Sequence, residues 1–322
     1  MPTILFSAPY MIPFLDRFGP LFEKLGIDLV VPEVEERLGE EALLSYAGQF
    51  DGAICGDDQY SRRVIEACQP RLKVISKWGT GIDSIDQEAC ADYGILIGNT
   101  PNAFTLAVSD SVLGYMLTFA RKHPWMDQAM KKGIWKKIPG RSLSECTLGV
   151  IGIGNIGRAV IERAKPFRMA IVGNDIREID PEFIQENSVE MVSLEELLNR
   201  ADFVSVNCTL NPTSIHLIDA VALSNMKDDS VLINTARGQV VDEKALVDAL
   251  KREKIAGAAL DVFENEPLPA ESPLRGFENV LLAPHNSNSS PQAWERVHWN
   301  TIRNLLVGLD IPFQTNDRGE IL

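Results

Sequence analysis

Thr147-Leu148-Gly149-Val150-Ile151-Gly152-Ile153-Gly154-Asn155-Ile156-Gly157, running on to Phe167, is the stretch that decides the fold of this chain. Its first half is a short apolar run that reads as a buried strand, and residues 155–167 read as a helix. Gly152, Gly154 and Gly157 fit G-x-G-x-x-G between the two. The first glycine permits a tight turn, the second lets a pyrophosphate approach the backbone, and the third lets helix and strand pack closely. The helix N-terminus then faces phosphates, so Gly152, Gly154, Asn155, Ile156 and Gly157 are expected dinucleotide contacts. Asp175 follows the strand-like Ala170-Ile171-Val172, eighteen residues beyond Gly157. A carboxylate there accepts hydrogen bonds from a ribose diol and repels a 2'-phosphate, which favours NAD over NADP; Arg177 is the residue that could reverse that preference.

Outward from this motif the same rhythm repeats. Strand-like runs recur at 202–206, 230–234, 256–262 and 280–283, with a helix at 243–251, giving a doubly wound domain of six or seven strands. Before it, runs at 4–6, 29–31, 52–55 and 74–76 alternate with helical segments at 14–25, 40–48 and 61–67, the βαβ pattern of a second parallel sheet. Residues 104–120 are apolar nearly all round, which suits a helix wedged between domains. A helix over 292–309, with Pro291 at its start, can return to complete the first domain. The expected fold is therefore α/β with two doubly wound parallel-sheet domains: a dinucleotide-binding domain over 102–287, inserted in a substrate domain made of 1–101 and 288–322. Two chain crossings would make a hinge, and a cleft there would suit a ligand.

The totals narrow the class. At 322 residues, 45% hydrophobic and 24% charged, the chain can bury two cores. Its formal charge of -14 argues against nucleic acid or anionic lipid as a partner. There is no signal-peptide pattern and no segment of membrane-spanning length, and five cysteines without zinc-ligand spacing fit reduced thiols in a cytoplasm. No two of the four histidines sit at a metal-binding helical spacing, so no metal is expected.

Three charged side chains stand just past apolar runs: Arg237 after 231–233, Glu266 after 258–263 and His285 after 280–283. Parallel sheets bind ligands outside the carboxyl ends of their strands, so these ends would bring a cation, a carboxylate and an imidazole to one rim. A guanidinium can hold a carboxylate in bidentate fashion. A carboxylate paired with an imidazole favours its protonated form, which makes a proton available to a carbonyl oxygen. Glu264 competes with Glu266 for that place. Cys208, with no histidine near it in sequence, reads as a packed or cofactor-lining thiol.

These residues resemble the D-isomer-specific 2-hydroxyacid dehydrogenase family, the group that includes D-3-phosphoglycerate, glycerate and formate dehydrogenases. The most diagnostic stretch is residues 232–242, continuing through 256–267 to Pro284-His285. The resemblance implies a Rossmann domain set in a flavodoxin-like one, with hydride transfer between NAD(H) and a small D-2-hydroxy or 2-keto acid. It makes His285 the proton donor and acceptor, Glu266 its partner and Arg237 the substrate anchor. It makes Trp78-Gly79-Thr80-Gly81 a loop whose amides bind the substrate carboxylate. Thr80, Cys208, Thr209, Thr235, Ala236, Arg237, Asp261 and His285 align with positions on the dinucleotide side, Asp261 near the nicotinamide. Relatives usually pair as homodimers through the nucleotide domain, and Trp125 and Trp135 could serve such an interface or simply finish the domain's own core. Two departures stand out: Asn286-Ser287-Asn288-Ser289-Ser290 replaces a glycine-rich turn, and Asp57-Asp58 replaces a basic residue of phosphoglycerate-type members. Carboxylates there would repel a substrate phosphate. Two rival expectations are an NAD-responsive binding scaffold of the corepressor kind, and an NADP-linked glyoxylate or hydroxypyruvate reductase.

Overall fold

Runs such as Gly52-Ala53-Ile54-Cys55 and Phe203-Val204-Ser205-Val206 carry no charged side chain and are buried at every position, which suits strands covered on both faces. The computed structural model describes residues 1–322 and places these runs in two sheets whose strand pairs are all parallel. The chain divides into two units, Met1–Phe104 with Ser290–Leu322, and Thr105–Ser289.

The first unit contains β1 (Thr3–Phe6), β2 (Asp28–Val30), β3 (Gly52–Cys55), β4 (Val74–Lys77) and β5 (Leu96–Gly98), in the order β2-β1-β3-β4-β5. This is the flavodoxin-like winding, with its switch point between β1 and β3. The helix Pro291–Gly308 returns to this sheet: Ser76 Oγ donates to the Thr301 carbonyl at 2.7 Å. Leu305 of that helix is fully buried, worth about 1.5–3 kcal/mol. A side chain at Gly52 would stand 3.0 Å from its Cδ1, so small residues in the strand let the helix approach.

The second unit contains β6 (Thr147–Ile151), β7 (Ala170–Asn174), β8 (Val189–Met191), β9 (Phe203–Val206), β10 (Val231–Asn234), β11 (Gly257–Leu260) and β12 (Val280–Leu282). Their order, β12-β11-β10-β9-β6-β7-β8, is the Rossmann winding with a seventh strand, and the switch point falls between β6 and β9. The helix Thr105–Arg121 buries Val112, Met116 and Phe119 in this unit's core, beside Val150 and Ile161. The expected helix at 155–167 ends earlier, at Ala164, and continues as a 3-10 turn over Lys165–Phe167, because Pro166 cannot extend the hydrogen-bond ladder.

Candidate active site

The glycine loop has the shape its sequence demands. Gly152 lies at φ 87°, and a Cβ there would stand 2.6 Å from the Cys208 nitrogen. A Cβ on Gly157 would fall 2.0 Å from the Gly152 carbonyl oxygen. Over Gly154 there is space: the only atom near its would-be Cβ is an Arg177 nitrogen at 3.8 Å. Gly154 caps the ten-residue helix Asn155–Ala164, so the open ground lies at a helix N-terminus, where backbone N–H groups suit a pyrophosphate.

Asp175 closes this loop from the end of β7. Its Oδ2 accepts from the Ile153 amide at 2.7 Å, while its Oδ1 accepts from the Arg177 amide at 2.8 Å and Arg177 Nε at 3.2 Å. Burial pushes the carboxyl up, but the Arg177 guanidinium and the two amides outweigh it and hold Asp175 below the ordinary carboxylate range. Arg177 itself is 65% exposed and so can leave the carboxylate when a ribose arrives. Cys208 packs its backbone on Gly152, and burial pushes its thiol up to about 11, so the cysteine is no thiolate nucleophile. Thr209 is exposed, its carbonyl taking the Ser214 hydroxyl at 2.7 Å. At the end of β10 the Thr235 hydroxyl is buried without a hydrogen-bond partner, while the Ala236 amide bonds Asn234 Oδ1 at 3.1 Å. An orphaned buried hydroxyl at the carboxyl end of β10, in the same sheet whose β6 leads into the glycine loop, fits a dinucleotide site.

The charged residues sit on loops after three neighbouring strands. Arg237 follows β10, Glu266 follows β11 and His285 follows β12, and β10, β11 and β12 lie side by side. His285 Nδ1 and Glu266 Oε2 are 3.1 Å apart, both side chains largely shielded from water. The Phe263 amide donates to Glu266 Oε1 at 2.9 Å, which fixes the carboxylate from its own loop. His285 occupies the left-handed region at φ 51°, a conformation costly for a side chain with a Cβ. The clamp that holds it there is Asp261. The Asp261 carbonyl accepts from the His285 amide at 2.8 Å, and its buried carboxylate accepts from the Asn286 amide at 2.7 Å and the Ser287 amide at 2.9 Å. Both carboxylate oxygens of Asp261 are thus turned to the histidine's turn.

Gly238 joins the arginine and glutamate loops. A Cβ there would stand 1.9 Å from the Phe263 carbonyl carbon and 2.0 Å from its oxygen, so only glycine lets the loop after β10 lie on the loop after β11. Asn234 Nδ2 donates to the Arg237 carbonyl at 2.8 Å and shapes the same exit. Glu264, the sequence competitor of Glu266, is committed elsewhere: its Oε1 is 2.8 Å from His216 Nε2 and also receives the Glu243 amide at 3.3 Å.

Residues 113–287 match the family model described as D-isomer specific 2-hydroxyacid dehydrogenase, NAD binding domain. The chain belongs to that family. Among members of this dehydrogenase family, a glyoxylate reductase of Thermofilum pendens is 39% identical over 309 residues, 93% of this chain and 91% of the relative. A D-3-phosphoglycerate dehydrogenase of Methanocaldococcus jannaschii is 40% identical over 265 residues, 81% of this chain but 50% of the relative, so the chain spans about half that protein's length. The crystal structure of a D-lactate dehydrogenase from Aquifex aeolicus, complexed with NAD and lactic acid, superposes with a TM-score of 0.83 at 25% identity, covering 99% of this chain and 98% of that one. Family membership fits the nicotinamide dinucleotide site and the two doubly wound sheets.

The first unit corrects one expectation. Asp57 and Asp58 do not act together as a charged face. Asp58 is fully buried, its carboxylate accepting from the Ser7 hydroxyl and, at 2.7 Å, from the Leu38 amide. Burial pushes its carboxyl up to about 6. Asp57 is part-buried, and it pairs at 3.2 Å with the buried Lys77 ammonium. The argument against a phosphorylated substrate from two carboxylates therefore loses Asp58 outright.

Proposed function

We propose that this protein is an NAD-dependent D-2-hydroxyacid dehydrogenase that interconverts a small 2-keto acid and the D-2-hydroxy acid. The observation that carries the reading is the His285–Glu266 pair at 3.1 Å, at the carboxyl edge of the dinucleotide-binding sheet and clamped by Asp261. The chemistry that a bound nicotinamide dinucleotide supplies is the hydride. Glu266 holds the imidazole by Nδ1, and the ring delivers a proton to the carbonyl oxygen in reduction or removes it in oxidation. Arg237 is the carboxylate anchor of the dinucleotide-binding unit, and the amides of the Trp78-Gly79-Thr80-Gly81 loop are the carboxylate-binding groups of the first unit. Thr235, Ala236 and Cys208 line the dinucleotide.

NAD rather than NADP is supported by Asp175, whose carboxylate is held in place by the Ile153 amide independently of Arg177. A homodimer is supported by the apolar surface around Trp135, 89% exposed, with Met130 and Ile134 each 51% exposed nearby. Trp125 serves its own unit instead, with Nε1 donating to the Glu278 carbonyl at 3.1 Å and its ring packed on Phe119. No helix is long and apolar enough to cross a membrane, and five free cysteines support a reducing, cytoplasmic setting.

Purified protein with NADH, then NADPH, and a panel of glyoxylate, hydroxypyruvate, pyruvate and larger 2-keto acids tests the reading. Oxidation of NADH by at least one member of the panel, with NADPH poorer, is the expected result. Bound NADH without turnover across the panel would contradict it.

A further inference from the structure

The loop that follows β4 is held in a way its sequence does not announce. Three successive carbonyls, those of Trp78, Gly79 and Thr80, each accept a hydrogen bond from the body of the first unit. Lys77 Nζ donates to the Trp78 carbonyl at 2.9 Å, the Thr100 amide to the Gly79 carbonyl at 2.8 Å, and Asn99 Nδ2 to the Thr80 carbonyl at 2.6 Å. In a planar trans peptide the C=O and the next N–H point in opposite directions. Pinning these carbonyls therefore turns the N–H groups of Gly79, Thr80 and Gly81 away from the pins, and none of the three has an acceptor in the protein.

The pins are themselves fixed. The Lys77 side chain is only 5% exposed, and its ammonium also pairs with Asp57 Oδ1 at 3.2 Å. The Asn99 carbonyl accepts from Asn300 Nδ2 at 3.1 Å and Asn304 Nδ2 at 3.0 Å, and Thr80 Oγ1 donates to the Thr100 carbonyl at 2.9 Å. Gly79 lies at φ 121°, where residues with a Cβ are strained, so the loop reaches this shape only with glycine at that position. Successive unpartnered amides make an anion-binding surface, and a buried ammonium one peptide away strengthens it.

We infer that Lys77 and Asn99 are positioning residues for carboxylate binding, acting through the Trp78 and Thr80 carbonyls and not by touching the substrate. This rests on the dehydrogenase reading and specifies which side chains set the substrate affinity of its Gly79 to Gly81 loop. Lys77→Met and Asn99→Ala each remove one pin, and Lys77→Arg keeps a cationic donor.

The test measures the Kd of oxamate and the KM and kcat for glyoxylate on NADH-saturated protein, and the Kd of NADH by separate titration. Removal of either pin is expected to raise the oxamate Kd and glyoxylate KM by about tenfold, the worth of one charge-assisted hydrogen bond. The same variants should keep kcat within about threefold and leave the NADH Kd unchanged, and Lys77→Arg should recover part of the loss. Wild-type binding and turnover, with both variants as tight for oxamate as wild type, would overturn the inference, as would a loss confined to kcat. Absence of oxamate binding and of turnover of every 2-keto acid of the panel in the wild-type protein would instead sink the dehydrogenase reading itself. Should Lys77→Met not fold, Asn99→Ala, whose pin is on the exposed side, decides the matter alone.

Discussion

Two histidine–glutamate pairs stand on the second unit, and the residues within each are joined by a similar contact to opposite ends. His216 and Glu264 are 2.8 Å apart, His285 and Glu266 3.1 Å apart, and the two glutamates are separated in sequence only by Asn265. The outer pair is open to water, with the imidazole 47% exposed, and it engages through Nε2. Its carboxylate also takes the Glu243 amide, while the Glu264 amide donates back to Glu243 Oε2 at 3.3 Å. That pair is a staple between a loop and the start of the helix Glu243–Lys251. The inner pair is shielded, with the imidazole 21% exposed, and engages through Nδ1, on a backbone turn that Asp261 keeps in the left-handed region. A histidine–carboxylate contact alone therefore says little about function. His216 also lies in the left-handed region, at φ 50°, so what distinguishes the inner pair is which ring nitrogen it uses, how dry it is and the Asp261 carboxylate that receives the amides of its turn.

The comparison can be broken at several points. His285→Ala is expected to lower kcat by about a thousandfold or more with NADH affinity nearly intact, whereas His216→Ala stays within about threefold; steady-state kinetics and NADH titration read both. Gly238→Ala should destabilise the unit by several kcal/mol, on the order of 3, and depress activity with it, because the new methyl group has no room beside Phe263; thermal melts and assays of the same samples check this. Glu266→Gln should lower kcat by about a hundredfold and Glu264→Gln by less than about threefold, since only the first carboxylate supports the proton-carrying ring. If the two glutamine variants lost equal activity, the distinction between the pairs would fail.

A contrast in the first unit gives smaller effects, of opposite sign. His298 is buried with Nδ1 accepting from Trp78 Nε1 at 2.9 Å, and burial lowers its pKa to about 4. In the unfolded chain it takes a proton below about 6.5, so its contribution to stability is present above that pH and is lost as pH falls towards 4. Asp58, pushed up to about 6 by burial, contributes the reverse: stability present below its unfolded value of 3.8 and lost as pH rises through 6. Each is worth at most about 3 kcal/mol. Urea melts between pH 4 and 7 should show His298→Gln gaining relative stability towards acid, and Asp58→Asn losing it.

Much of the fold is legible in the sequence because strands covered on both faces must be apolar throughout, as in Leu148 to Ile151 and Val231 to Ile233. The strands that escape such a reading lie at sheet edges. Leu96–Gly98 and Val189–Met191 are three residues long, partly exposed and carry a glycine or a glutamate, so nothing in them enforces an apolar run. Short helices such as Gln87–Asp92 and Ala220–Asn225 are legible only through their caps, Asp86 and Asp219, since six residues give too little periodicity. The charged residues of the site announce themselves by standing after strands. What their supports do is not announced: Asp261, named by the resemblance only as a residue near the nicotinamide, and Lys77 act on backbone amides and carbonyls, which every residue possesses. The division of labour between Asp57 and Asp58 is hidden for a similar reason, because sequence gives no sign of which of two adjacent carboxylates a strand end turns inward.

The most direct measurement follows the transferred atom. With NADH deuterated at both C4 positions and the 2-keto acid of the panel that the wild-type protein reduces best, the wild-type protein should place deuterium at C2 of the hydroxy acid, His216→Ala should do the same, and His285→Ala should yield about a thousandfold less labelled product in the same time. Failure of the wild-type protein to label the product, or equal labelling by His285→Ala, would contradict the account.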